Sequence, residues 1–201
     1  PELARSFISH AMGAISGGAQ YRRSTFLLDA IGKRVFPEFV QIQERPHIPQ
    51  AMGSRAYDSE GVATYDRDIV TDGVLQGYLL SSYSARRLGL QTTANAGGAQ
   101  NLVVPGSETD LAGLIREMGT GLVVEELIGQ GVNAVTGDYS RGAVGHWVEN
   151  GEIQFPVHEV TIAGNLNDLY PRIAAIGNDQ DLRSNMRIGA LLVEEMTVAG
   201  A

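Results

Sequence analysis

Asn150-Gly151 stands between two runs of alternating apolar and polar residues, 143–149 and 152–155, and no other feature limits the fold of this chain as strongly. An Asn-Gly pair takes up the positive φ values of a two-residue type I′ turn at little cost, so the flanking runs are expected to pair antiparallel. Regular pairing sets His146 opposite Phe155, on the face that holds Val148 and Ile153, puts His158 on the other face, and has Pro156 break the ladder. Asp72-Gly73 repeats the signal between residues 62–70 and 74–80. With 25 glycines in 201 residues to supply turns and bulges, many short strands are implied.

Helical spacing appears in fewer places. Leu3, Phe7, Ile8, Ala11, Met12 and Ile15 recur at three- and four-residue intervals over 2–16, and Gly17-Gly18 reads as the stop. Ser82 to Leu88 reads as a short helix. Ser107 and Asp110 resemble a capping box ahead of the stripe Leu111, Leu114, Ile115 and Met118, which Gly119 ends. Strands are expected at 36–44, 121–128, 157–163 and 186–198. Residues 166–176 are helix-like but carry Pro171, so that helix is short, kinked or late. Residues 91–101, with Gly97-Gly98, form a polar loop of functional length. The expected architecture over 1–201 is one α+β domain, strand-rich and antiparallel, with a few flanking helices.

A net charge of −8 disfavours direct binding of nucleic acid, whose affinity rests mainly on Lys and Arg. Arg22-Arg23 and Arg86-Arg87 are read as solvated surface pairs. No apolar run is long enough to cross a bilayer. The absence of cysteine rules out disulfides and thiolate metal ligands and fits a cytoplasmic location. The chain opens on Pro1, which suggests a piece of a longer protein.

Catalytic patterns fail one by one. Zinc hydrolases pair two histidines on one helical face with a Glu, but the position four residues after His10 is Ala14. Residues 137–142, Gly-Asp-Tyr-Ser-Arg-Gly, are not a Gly-x-Ser-x-Gly elbow and read as a wide loop in which Asp138, Tyr139, Ser140 and Arg141 can cluster in a cleft. Gly129 and Gly131 belong to the same polar segment, expected to line a cleft or a subunit contact; neither they nor Gly119 and Gly121 complete a dinucleotide fingerprint. The acidic pairs Asp58 and Glu60, Asp66 and Asp68, and Asp179 and Asp181 are read as solvated loops. No cofactor is expected.

The run from Met118 to Gly142, together with 147–156, Thr161-Ile-Ala-Gly-Asn165, 176–179, 21–29 and 82–86, resembles the C-terminal region of the PmbA/TldE family across nearly the whole chain. In that family a sister subunit, TldD, carries an HExxxH zinc motif that falls on residues 9–14 here. The resemblance therefore implies that both zinc histidines are replaced, by Ser9 and Ala14, that His10 stands at the catalytic Glu position, and that Ile188 stands at the Cys ligand. It implies a non-catalytic C-terminal domain that holds no metal and joins a TldD-like subunit in a heterodimeric protease acting on unfolded or leader-bearing peptides. The alternative it leaves is a regulator of DNA gyrase acting through protein contacts. Cut from its surroundings, the domain is expected to self-associate as a homodimer, with the first helix as the exposed apolar surface.

Overall fold

The computed structural model describes residues 1–200. Helix α1 (Glu2–Ala14) forms where the apolar spacing predicts it and buries Ala4, Phe7, Ile8, Ala11, Met12 and Ala14. Its apolar stripe is used up inside the domain, so α1 is not the exposed apolar surface that the sequence suggests. Gly17-Gly18 does not simply stop it: Ser16 accepts a bond from the Ala19 amide, and α2 (Gly17–Tyr21) begins there. Gly17 is small because a Cβ would run into Ser84 and Leu80.

Strand β1 (Ile42–Glu44) is shorter than 36–44, because the Val40 amide donates to the Pro37 carbonyl and makes a turn of the first half. The hairpin of β2 (Arg67–Thr71) and β3 (Val74–Leu75) turns on Asp72 and Gly73, whose φ values of 50° and 73° are those of a type I′ turn. Its strands are shorter than 62–70 and 74–80. α3 (Ser82–Leu88) matches its expected bounds and ends on Gly89 at φ 68°. Residues 91–101 form the expected loop before β4 (Leu102–Val103). The cap of α4 (Leu111–Met118) is Asp110, which accepts from the Gly113 amide at 2.8 Å; Ser107 turns away to donate to the Ile176 carbonyl.

β5 (Gly121–Ile128), β6 (Asp138–Glu149) and β7 (Glu152–Asn165) form an antiparallel meander, with Asn150 and Gly151 at φ 53° and 76° in the tight turn. Three expectations fail here. Residues 138–142 are strand and not a wide loop, since they pair with 161–165. Pro156 does not break β7: it pairs with His146 of β6, and β11 covers only residues 161–163, so this stretch of β7 has a neighbour on one side alone. An irregularity between Trp147 and Val148 shifts the register, so His146 faces Pro156 and Trp147 faces Phe155.

Residues 166–176 divide into α5 (Leu166–Leu169), a 3-10 turn over Tyr170–Arg172 that accommodates Pro171, and β8 (Ile173–Ile176). The strand expected over 186–198 is three strands: β9 (Met186–Arg187), β10 (Leu191–Val193) and β11 (Thr197–Ala199). The sheets run β3-β2-β1-β4-β9, β10-β8 and β11-β7-β6-β5, all antiparallel except β4 with β9. The α+β class and antiparallel character therefore stand. Among the described residues, no helix is long and apolar enough to cross a membrane.

One core joins α1 to both larger sheets. Phe7 of α1 meets Tyr139 of β6 edge-on at 5.8 Å and Tyr170 at 5.1 Å, and Tyr170 also packs on Phe36 at 4.9 Å. The Tyr170 hydroxyl, wholly buried, donates to the Phe7 carbonyl at 3.0 Å, and burial pushes its pKa far above the usual phenol value. Tyr170→Phe keeps the ring contacts and removes this bond, so it should lower unfolding free energy by about 1 kcal/mol. A urea melt measures this, and an unchanged midpoint would mean that the ring alone holds the junction.

Candidate functional site

The exposed side of α1 passes through Ser9 and Gly13, a four-residue step that keeps them on one face. Two hollows lie along it. A groove of about 540 Å³ has Met12, Gly13 and Gly17 on one side, Tyr21 and Tyr83 at one end, and loop residues 95–99 as its far wall. A shallower hollow of about 450 Å³ holds Arg5, Arg55 and Arg183, and Ala99 borders both. Gly13 stands out in this floor. Its backbone is not left-handed, and a Cβ there would meet nothing within 4 Å. Glycine inside a helix costs roughly 0.5–1 kcal/mol relative to Ala, and packing within the chain does not require it here.

The far wall is held by buried charge. Glu44 on β1 is 1% exposed; its Oε2 accepts from Arg67 Nε at 2.8 Å, and its Oε1 accepts from Asn95 Nδ2 at 2.8 Å and the Gln100 amide at 2.9 Å. Arg67 also donates to Asn95 Oδ1 and the Tyr78 carbonyl. Asp58 is not a solvated loop residue: it is buried and accepts from the amides of Ala96, Glu60 and Val62. Burial pushes its pKa up, but the amides outweigh burial and the carboxyl ends below its usual range. The loop 94–100 is thus fixed from below by two carboxylates.

Ser9, His10, Ala14 and Ile188, the positions singled out by the family resemblance, scatter. The Ser9 hydroxyl is exposed and donates to the Arg5 carbonyl at 2.8 Å. Ala14 and Ile188 are buried in the core. His10 is half-buried against Tyr139, with ring centroids 6.1 Å apart, and its Nε2 has no hydrogen-bond partner among the described residues. Burial, then the Arg141 charge, lowers the His10 pKa and favours neutral imidazole. One imidazole, one hydroxyl and two hydrocarbon side chains do not make a zinc ligand set. Among the described residues, no three His, Cys, Asp or Glu side chains gather in a way that could hold a metal.

The segment 129–142 does meet these positions, through β6. Tyr139 faces inward to His10, with its pKa raised by burial, while Asp138 and Ser140 alternate outward. Asp138 accepts from Thr136 Oγ1 at 2.6 Å and Asn165 Nδ2 at 3.0 Å, which hold its carboxyl below the usual range. The Ser140 amide donates to the Gly131 carbonyl, and a Cβ on Gly131 would collide with the Ser140 carbonyl. Gly129, at φ 79°, turns the chain out of β5, and Arg141 Nε donates weakly to the Ile128 carbonyl. The six residues thus share one strand and its return loop, but they split between two faces and line neither hollow. His146 Nδ1 lies 3.3 Å from Glu125 Oε1, and His158 is exposed. The groove itself escapes sequence reasoning, apart from the polar loop at 91–101.

The chain is thus a strand-rich α+β body with α1 packed against it and two hollows beside that helix. The family model described as PmbA/TldA metallopeptidase C-terminal domain matches residues 1–200, and the chain belongs to this PmbA/TldD family. Metalloprotease PmbA of Escherichia coli O157:H7 is 54% identical over 199 residues, which take in 99% of this chain and 44% of that protein. The PmbA homolog of Haemophilus influenzae is 52% identical over 200 residues, with 99% and 44% covered. The chain spans less than half the length of these relatives. Among solved structures, a Bacteroides thetaiotaomicron protein that carries the name modulator of DNA gyrase superposes with a TM-score of 0.96 at 33% identity, covering 100% of this chain and 46% of that one. TldE from Thermococcus kodakarensis shares the fold, with a TM-score of 0.82 at 24% identity over 94% of this chain and 46% of its own.

Two outcomes test the site. Glu44→Ala leaves Arg67 buried without its carboxylate and should cost about 3 kcal/mol or more, measured by chemical denaturation. For His10 the folded pKa lies below the unfolded value, so its contribution to stability is whole above about pH 6.5 and fades as pH falls below that. The melting temperature should drop between neutral pH and about pH 5, and His10→Leu should flatten that drop. An identical profile in the variant would place the titration elsewhere.

Proposed function

We propose that this chain is the C-terminal domain of a non-catalytic subunit that joins a TldD-like, zinc-bearing subunit in a cytoplasmic protease for unfolded or leader-bearing peptides. The observation that carries this reading is the fate of the four motif positions. Ser9 is spent on a backbone carbonyl, Ala14 and Ile188 fill the core, and His10 faces Tyr139. The metalloprotease name of the PmbA relatives supports the peptide substrate, and their greater length leaves room for parts of the activity outside this chain. Ile128, Ile153, Phe155 and Val198 are exposed on β5, β7 and β11, which suits that sheet, together with the Gly129–Arg141 segment, to a subunit contact. The same surface would serve a homodimer of the isolated domain. Regulation of DNA gyrase through protein contacts is the second reading, favoured by the names of two solved relatives.

The experiment mixes the full-length protein that contains this chain with a TldD-like subunit and follows peptide cleavage. Cleavage should need both, and Arg141→Ala should weaken it while leaving the melting temperature nearly unchanged. Chelator-sensitive cleavage by the protein alone would overturn the reading. Stable gyrase binding without any association with the TldD-like subunit would favour the second.

A further inference from the structure

We propose that the groove beside α1 binds an acidic peptide segment, with its carboxylates held by Arg22 and Arg87, which flank the lining residue Tyr21. This goes beyond the subunit reading, since it requires neither a TldD-like partner nor cleavage. The first support is electrostatic. The chain carries a net charge of −8, yet Arg22, just past α2, and Arg87 of α3 meet over Tyr21, and neither has a carboxylate within 4.0 Å among the described residues. The end of α3 favours cations through its dipole, but that gives Arg22 no counter-charge. The guanidinium groups of Arg22 and Arg87 lie 5.3 Å and 5.8 Å from the ring centroid of Tyr21, which lines the groove. An unpaired positive cluster on an acidic molecule selects an anionic partner.

Gly13 is the second, independent support. Nothing inside the chain explains a side-chain-free position on the groove floor, whereas a ligand backbone that approaches α1 closely does. The third is rigidity: loop 94–100 is tied to Glu44 and Asp58, so the groove is formed before the ligand arrives. A peptide suits it better than a nucleic acid. Tyr21 is already engaged by two guanidinium groups and by the edge of Tyr83 at 5.8 Å, and the overall charge repels a phosphate backbone.

The test is fluorescence anisotropy of the chain with short labelled peptides, one rich in Asp and Glu, one rich in Lys and one neutral, at two salt concentrations. The acidic peptide should bind most tightly and weaken as salt rises. Joint Arg22→Glu and Arg87→Glu substitution should weaken it by about tenfold or more and turn preference toward the Lys-rich peptide. Gly13→Leu should weaken it comparably without lowering the melting temperature, because a Cβ at this groove-lining position meets nothing within 4 Å and leucine favours a helix over glycine; if circular dichroism shows a charge variant misfolded, Arg22→Gln with Arg87→Gln replaces it. Equal binding of the three peptides, indifference to both sets of variants, or tighter binding of a single-stranded oligonucleotide would overturn the proposal. Cleavage with the TldD-like subunit but no acidic preference removes this inference alone, and an acidic preference without that association removes the subunit reading alone.

Discussion

The edge-on contact of Phe7 with Tyr139 and with Tyr170 is the one on which the rest of the domain depends. It pins α1 to β6 of the four-stranded sheet on one side and, through Tyr170 and Phe36, to the parts of the chain around the five-stranded sheet on the other. Edge-to-face rings add direction to the area they bury, so they fix the helix in rotation as well as in position. That rotation decides which residues of α1 see solvent. With Phe7 inward, Ala14 is inward too, while Ser9 and Gly13 face out.

The second constraint is the carboxylate pair under the loop 94–100. Charges this deeply buried are costly unless every lone pair is met, and here Glu44 and Asp58 are met by backbone amides, an asparagine and an arginine from distant parts of the chain. Such a network holds a stretch with no regular secondary structure in one shape. The groove therefore has one wall made of helix and another made of loop, and both are rigid.

The sequence made the local rules legible and hid the long-range ones. Asx-Gly turns at 72–73 and 150–151, the helix Ser82–Leu88 and the strand Gly121–Ile128 all follow from turn chemistry or periodicity, which act within a few residues. Residues 137–142 read as a loop because their glycines and polar side chains hide a ladder that only the pairing with 161–165 reveals. Gly17-Gly18 read as a stop because the close approach of α3 that demands a glycine there is not local. The site divides in the same way. Ser9, Ala14 and Ile188 are single positions that can be named from the chain alone, whereas the groove is assembled from residues 12–21, 79–84 and 95–99, and no short window contains it.

One pairing sets the order in which the chain can complete itself. β4 lies beside β9 in parallel, with the Leu102 amide bound to the Asn185 carbonyl and the Val104 amide to the Arg187 carbonyl. During synthesis, residues 42–103 therefore leave the ribosome with the β4 side of their sheet unpaired, and it stays so until residue 187 has emerged. A sheet edge left open for that long is a template for mispairing, and contacts so far apart in sequence slow folding. The five-stranded sheet therefore reaches its full width only when the chain's last fifteen or so residues are being made.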